Sequence, residues 1–221
     1  MPKHLQMEIE ALKTSILSLG AIVEEDVRQA VESLEKRDVS LARKVIEADE
    51  IIDRREVEVE EECLKILALY QPVAVDLRFI IAILKLNSDL ERIGDLAVNI
   101  AQESLYLLAQ ASPSPLYSFG VMAAKAQRMV KNSLDSLVNQ NAVLAHEVRA
   151  ADDEIDALKR DVYRYVEEGV RQSPGNLAIL AHQMAVAHNL ERMADHATNI
   201  AEDVIYLVEG QIVRHSREPV C

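Results

Sequence analysis

Acidic side chains recur four residues apart at matching places along the chain, and this spacing suits metal binding. Glu91 and Asp95 share one face of a helix because residues four apart lie one turn above each other, and Glu191 and Asp195 repeat the arrangement. Two pairs of aspartates form similar rows, and two asparagines extend the glutamate rows by one turn. These further candidate ligands are Asp49, Asp53, Asp152, Asp156, Asn99 and Asn199.

The rows belong to an internal repeat. With a shift of 100 positions, residues 90–107 match residues 190–207 at 10 of 18 places. A shift of 103 aligns the preceding segments and places the Asp49–Asp53 row on the Asp152–Asp156 row. The difference of three residues falls in a loop, where a change of length costs little. The chain is therefore predicted to contain two copies of one unit that share these polar residues.

A bound cation would remove the repulsion within these rows. Carboxylates at this spacing repel one another by about a few tenths of a kcal/mol for each pair. Carboxylate oxygens are ligands for Mg, Mn, Ca and Fe, so we expect one metal site in each copy, where the rows of two antiparallel helices face each other. The alternative is a solvated acidic face in which Arg92 and Arg192 pair with acids of their own helices. Asn99 and Asn199 could bind metal or form hydrogen bonds between helices.

Comparison of the two copies also indicates which other residues near the rows are surface residues and which lie at a helix contact. Glu56 and Glu60 fall opposite a lysine and a tyrosine in the second copy and are therefore interpreted as surface residues. Gly94 aligns with Ala194, and a small residue at this position is expected to allow close approach of two helices.

Histidines near the second row have no histidine counterpart in the first. His188 and His196 flank Glu191 and Asp195, and His196 could add a ligand. A histidine in this setting is more often a polar surface residue, so the two interpretations stay open. His182 and His215 are given no role.

The elements that must position these residues are long helices. In the third and the sixth of them, apolar residues recur at alternating steps of three and four, over residues 83–107 and 186–207, which is typical of packed helices. Connections are short, so neighbours are antiparallel, and three helices on each side of a Pro-rich linker form a bundle. The fold class is all-α, two tandem three-helix bundles. The helices are predicted at residues 4–36, 39–70, 76–110, 115–139, 142–172 and 176–209. The first unit covers residues 1–111, the linker 112–115, the second unit 116–210 and a tail 211–221.

Local signals predict where several helices begin and end. Asp38, Ser114 and Asn176 have the side chains preferred at N-caps, and Ser114 is followed by a proline suited to the first helical position. Gly210 is predicted to end the last helix.

The composition excludes several classes of protein. Gly and Pro together number only 12 of 221 residues, too few for the turns of a β-sandwich, a barrel or a Rossmann fold. With no Trp and two Phe, the core must be aliphatic. A formal net charge of −13 argues against a nucleic-acid partner, which needs a basic face, and suits cations or basic proteins.

The same features predict a cytoplasmic protein. Cys63 and Cys221 do not form a disulfide framework. The N-terminal segment lacks the apolar region of a signal peptide. The longest purely apolar run, residues 79–84, is far shorter than a membrane span, so membrane association is expected only through a partner.

Motifs of several enzyme classes are missing from the sequence. It contains neither the P-loop nor the dinucleotide-binding glycine pattern, no C-x2-C pair and no serine in a nucleophile elbow. No histidine follows a glutamate by three residues, which removes the main signature of ferritin-like di-metal enzymes.

Longer stretches around the rows resemble the PhoU family of phosphate-transport accessory and regulatory proteins. The matching text is QPVAVDLR at residues 71–78, DLERIGD at 89–95 and NIA at 99–101. The second copy reads NLERMADHATNIAE at 189–202. The resemblance extends over residues 5–215 and both copies.

This resemblance implies two three-helix bundles with metal clusters, which can be multinuclear, on the acidic rows. Iron is the first expectation, with zinc, manganese or magnesium as the other ions. The implied ligands in the rows are Glu91, Asp95, Glu191 and Asp195, with Asp49, Asp53, Asp152 and Asp156 opposite.

The resemblance also implies a regulatory role. Such proteins repress the phosphate-starvation response and restrain phosphate uptake. The resemblance further implies a connection between the ATPase subunit of the phosphate ABC transporter and a membrane sensor histidine kinase, and the formation of dimers and higher oligomers. We therefore expect a non-enzymatic adaptor that is a homodimer.

Two alternatives compete with this interpretation. A ferritin-like carboxylate-bridged metalloenzyme or metal store would turn over with oxygen or load many ions per chain. A metal-free helical scaffold would keep its ion content and thermal stability when the acids of the rows are replaced.

Overall fold

Six long α-helices joined by short connections form the part of the chain that the structure describes. In the computed structural model these are residues 3–110, 117–211 and 213. A short 3-10 turn, Pro174–Asn176, precedes the last helix, and the described residues contain no strand, which confirms the all-α class. The helices are α1 (Lys3–Glu35), α2 (Val39–Tyr70), α3 (Ala74–Ala109), α4 (Gly120–Val138), α5 (Ala142–Gln172) and α6 (Leu177–Glu209).

Most helix ends agree with the predicted ones. The bounds of α2 and α5 are as predicted, and those of α1, α3 and α6 differ by one or two residues. The prediction for α4 was wrong at its start, because the helix begins at Gly120 rather than at residue 115. Gly210 follows α6 in the left-handed conformation, with a φ of +73°, as predicted. The predicted linker 112–115, including the Ser114 cap, lies outside the described residues, as does most of the tail.

The connections before α2 and α5 have the same local structure in both copies. The Asp38 carboxylate accepts two hydrogen bonds from first-turn N–H groups, at 2.9 and 3.1 Å, as its N-cap position predicts. Asn141 occupies the matching position and accepts one, at 3.2 Å. Arg37 and Gln140 precede these caps with positive φ, 56° and 48°. Asn176 occupies the N-cap position of α6, as predicted, but its side chain makes no capping hydrogen bond.

An aliphatic core runs through both bundles, one formed by α1, α2 and α3 and the other by α4, α5 and α6. The apolar stripes predicted for the third and sixth helices are buried along their length, from Ile83 to Leu107 and from Val186 to Leu207. Cys63 is a free, buried thiol in the first bundle. Among the described helices, none is both long enough and apolar enough to cross a membrane.

The two bundles pack on each other through α3 against α6 and α1 against α4. Contacts from α3 move backwards along α6, which makes the two helices antiparallel. Lys85 Nζ lies 3.1 Å from Asp203 Oδ1, and Asp89 Oδ1 lies 2.9 Å from His196 Nδ1. Further along α3, Glu103 pairs with a histidine near the start of α6. The repeated helices that carry the glutamate rows therefore also form the contact between the two copies.

Candidate metal centre

The first pair of rows is brought together by α2 and α3. Asp49 and Glu91 are half-buried, whereas Asp53 and Asp95 are exposed. Burial raises the pKa of Asp49, and the charges of Asp53 and Asp95 raise it further. Burial also raises the pKa of Glu91, followed by the charges of Asp95, Asp53 and Glu56. Acids from both helices therefore share one electrostatic environment, which opposes their ionisation unless a cation is present.

The second pair of rows is brought together in the same way by α5 and α6. Burial raises the pKa of Asp152 to about 6, and the charges of Asp195, Asp156 and the neighbouring acids add to the effect. Burial, Glu191 and Asp156 raise the pKa of Asp195. The second pair of rows also contains a cationic side chain, because Lys159 Nζ of α5 lies 2.8 Å from Glu191 Oε1 of α6.

The carboxylates of a pair of rows interact through their charges without converging on one point. Among the described residues, no group of three or more His, Cys, Asp or Glu side chains is arranged to hold a metal ion. The donor set itself consists of carboxylate oxygens, which fit hard cations such as iron, manganese or magnesium. Binding would therefore require carboxylates to turn towards a shared ion, and the metal sites stay a prediction.

The two asparagines lie one turn beyond the glutamate rows. Asn99 and Asn199 are both exposed. Asn199 lines a groove between α3 and α6, together with Lys85, Arg92 and Glu202. Its amide is therefore next to the contact between the two bundles as well as to the second row.

Comparison of the copies missed two acids of the first bundle. The interpretation of Glu56 as a surface residue was wrong, because it is half-buried and its carboxylate accepts a hydrogen bond from Asn87 Nδ2 at 3.1 Å. Asp26 of α1 is 7% exposed and close enough to Asp49 for their charges to interact. Glu60 is exposed, as predicted. Requiring a residue to recur in both copies discards any residue that only one copy uses.

The histidines also differ from expectation. His196 is not a surface residue but is buried against Asp89 of the other bundle. His188 is exposed, with its Nδ1 3.4 Å from Glu191 Oε2. His182, which was given no role, pairs with Glu103 and stacks on Tyr106 with 3.5 Å between ring centroids. Neither His182 nor His196 could be placed from the sequence alone, because each has its partner in the other copy.

The fold and the rows together define a class of helical proteins, built from two copies of a three-helix bundle in which each copy brings two acidic rows together. The chain belongs to the PhoU family, because the family model described as PhoU domain matches residues 16–104 and 119–204.

Similar proteins support this membership over nearly the whole chain. A protein of Aquifex aeolicus named "Phosphate-specific transport system accessory protein PhoU homolog" is 40% identical over 208 residues, 94% of each chain. One of the same name from Pseudomonas aeruginosa is 37% identical over 214 residues, 96% of this chain and 88% of the other.

Crystal structures of two similar proteins have the same fold. PhoU from Pseudomonas aeruginosa superimposes with a TM-score of 0.89 at 36% identity, over 93% of this chain and 99% of the other. The phosphate transport system regulatory protein PhoU from Streptococcus pneumoniae gives 0.86 at 28% identity, over 95% and 99% of the two chains. The predicted family and the predicted pair of three-helix bundles are thereby confirmed.

Proposed function

We propose that the protein is an accessory component of phosphate transport that negatively regulates phosphate uptake and the phosphate-starvation two-component response. It would act in the cytoplasm as a non-enzymatic, metal-binding adaptor between the ATPase subunit of the phosphate ABC transporter and a sensor histidine kinase. The observation that carries this proposal is the near-full-length similarity to proteins named as accessory proteins of the phosphate-specific transport system.

An adaptor of this kind must meet a thermodynamic requirement. It shifts the kinase towards its silent state only if it binds that state more tightly than the signalling state. A rigid helical surface suits this task, because two packed bundles present a fixed arrangement of side chains to a partner. A homodimer would present that surface twice.

Metal ions would act by changing the charge of this surface. The chain has a formal net charge of −13, and the facing rows concentrate part of it in two places. A bound divalent or trivalent ion would neutralise a row and hold two helices together through their carboxylates. The potential that a partner meets would then depend on ion occupancy.

The cellular test is deletion of the gene in the source organism. We expect phosphate uptake and a starvation-response reporter to rise in phosphate-rich medium, and both to return to normal when the gene is restored. If deletion leaves the reporter and the uptake rate unchanged, the regulatory proposal is wrong. Purified protein should also bind the transporter ATPase and the kinase in separate pull-down experiments.

The metal part of the proposal has its own test. Elemental analysis of the purified native protein should find iron or another of the expected ions, and the variant with Glu91, Asp95, Glu191 and Asp195 replaced by alanine should lose it. That variant should also lose ion-dependent thermal stabilisation. A control variant removes the same amount of charge by replacing exposed acids with glutamine at Glu47, Glu50, Glu61 and Glu147. Equal ion content and equal thermal stability in all three proteins would contradict metal binding by the rows, and the absence of ions from all three would favour a metal-free scaffold.

A further inference from the structure

Two pairs of charged side chains join α3 to α6 near opposite ends of the contact between the bundles. Lys85 Nζ lies 3.1 Å from Asp203 Oδ1 near the start of α3, and the carboxylate of Glu103 contacts His182 Nδ1 near its end. The stretch of α3 between Lys85 and Glu103 is about 27 Å long, at a rise of 1.5 Å for each residue. Each pair therefore holds a different end of this contact together.

The acids of the two pairs recur in the internal repeat, whereas their partners do not. A shift of 100 aligns Glu103 with Asp203, but Lys85 and His182 each align with an alanine. One acid is therefore paired with a lysine, and its equivalent is paired with a histidine. A lysine carries its charge throughout the neutral range of pH, whereas a histidine ordinarily changes its charge between about pH 5 and 8. The two ends of the contact should therefore respond differently to a change of pH.

His182 lies between two groups of α3 that attract a cation. Glu103 contacts its Nδ1, and the ring of Tyr106 stacks on the imidazole with 3.5 Å between the centroids. The side chains of His182 and Glu103 are only 32% and 23% exposed, so water and salt screen the pair less than they would at the open surface. Loss of the proton from the imidazole leaves a hydrogen bond from a neutral donor, which is weaker than one from a cation.

Few other charges lie around this end of the contact. Residues 177–187 of α6 contain no other charged side chain, and in residues 96–110 of α3 the titratable groups are Glu103 and the phenol of Tyr106. The first turns of α4, residues 120–124, contain none, nor does the 3-10 turn 174–176. The charged residues that α1 and α5 bring to this end are exposed or paired among themselves: Glu32 with Lys36, Glu35, Arg37, and Glu167 and Glu168 with Arg171.

We infer that the contact between the two bundles contains a proton-dependent ion pair at one end. Protonated His182 holds the start of α6 against Glu103, and loss of the proton at mildly alkaline pH loosens this end, whereas Lys85 and Asp203 keep the other end closed. The pair stabilises the contact at acidic pH, and the stabilisation is lost as the pH rises through the range in which the imidazole loses its proton. The arrangement of the two bundles that a partner meets would then depend on pH, independently of any metal ion.

Thermal unfolding of metal-free protein at pH 6 and pH 8 tests the dependence on protons. Native protein should melt about 2 to 4 °C above His182→Gln at pH 6, and the difference should fall by half or more at pH 8. His196 and the other titrating groups are present in both proteins, so their effects cancel in the difference. Lys85→Gln is the matched control at the other end and should lower the melting temperature equally at both pH values. An equal difference between native protein and His182→Gln at the two pH values would overturn the inference.

Distances between pairs of spin labels show which end of the contact loosens. Cysteines that replace Arg43 and Glu168 carry labels on exposed positions of α2 and α5 at the end that contains His182, because these helices run antiparallel to α3 and α6. Cysteines that replace Glu60 and Glu147 label the opposite end in the same way. The C-terminal cysteine is replaced by serine in all of these proteins.

Raising the pH from 6 to 8 should broaden the first distance distribution and shift it to longer values, and it should leave the second unchanged. His182→Lys keeps a positive charge at both pH values and should abolish the change at the first pair of labels. An unchanged first distribution in otherwise native protein, the same change at both ends, or a change that persists in His182→Lys would each contradict a proton-dependent pair.

Discussion

Asp26 shows how strongly burial acts on a single acidic residue in this molecule. The side chain is 7% exposed on α1, and desolvation raises its pKa to about 6 from the ordinary value of 3.8. The charges of Glu25 and Asp49 add to this effect, and Lys44 opposes it. The folded protein therefore binds this proton more tightly than the unfolded chain does. The resulting contribution to stability is complete below about pH 4 and is lost as the pH rises through about 6.

Replacing Asp26 with asparagine should therefore stabilise the protein at neutral pH. We expect Asp26→Asn to raise the free energy of unfolding at pH 7 by roughly 1 to 3 kcal/mol and to change it little at pH 4. Urea denaturation of the metal-free protein at both values measures the difference. Glu50→Gln, at an exposed position of α2, is the control and should have little effect at either pH. A loss of stability at pH 7 in Asp26→Asn would contradict the assigned cost of burial.

Comparison of the two copies could identify acidic residues that occur in both, but it could not identify those that occur in only one copy. The rows from Asp49 to Asp195 recur at fixed shifts, so the sequence alone indicated them as candidates. Asp26 and Glu56 lie near the first rows, but Met129 and Lys159 replace them in the second copy. Their proximity depends on three-dimensional packing of α1 and α2, which periodicity does not determine.

At the scale of the element, the contact between α2 and α3 depends on the absence of a side chain at Gly94. A Cβ added there would lie 2.9 Å from Ile52 Cδ1 and 3.3 Å from its Cγ2. The repeat aligns Ile52 with Ile155 and Gly94 with Ala194, and both Ile155 and Ala194 are fully buried, so the second bundle has a methyl group at the equivalent position. The predicted close approach of helices at this position is confirmed.

The size of the side chain that replaces Gly94 should determine how much a substitution changes the free energy of unfolding. Gly94→Ala should be close to neutral, because a gain in helix propensity of about 1 kcal/mol offsets a small movement of the flexible end of Ile52. Gly94→Leu should lower the free energy of unfolding by roughly 1 to 3 kcal/mol through overpacking. Urea denaturation compares the two variants. Gly175→Leu is the control for the leucine side chain, because a Cβ at Gly175 has nothing within 4 Å. Equal stability of Gly94→Leu and Gly94→Ala would contradict the close approach.

Helix positions could be predicted well from the sequence because their determinants are local. Apolar periodicity defined the buried faces of α3 and α6, and Asp38 set the start of α2. The prediction for α4 failed at its start because Ser114 and Pro115 carry an N-cap signal, whereas the helix begins at Gly120. Asn176 takes the N-cap position of α6 without a capping hydrogen bond from its side chain, and the 3-10 turn that ends there was not predicted from the sequence.

At the scale of the whole molecule, the two bundles are joined by polar pairs that do not obey the internal repeat. His196 of α6 pairs with Asp89 of α3, and both are buried. A shift of 100 aligns His196 with Leu96 and Asp89 with Asn189, so the equivalent contact on the other side lacks this pair. Residues 107 positions apart in sequence could not have been paired without the arrangement of the bundles. The pair therefore makes the contact between the two copies asymmetric, because it is present on one side and absent from the equivalent side.

A double-mutant cycle should measure what this pair contributes to the contact between the bundles. His196→Leu alone should lower the free energy of unfolding by roughly 1 to 3 kcal/mol, because it leaves a buried carboxylate without its partner. Asp89→Asn/His196→Leu installs the residues found on the opposite side, so the double variant should lose less than the sum of the single variants by about 1 kcal/mol or more. Urea denaturation of the four proteins gives the coupling, with His188→Leu as a control at an exposed position of the same helix. Additive losses would mean that each residue stabilises its own bundle and that the pair does not join the two.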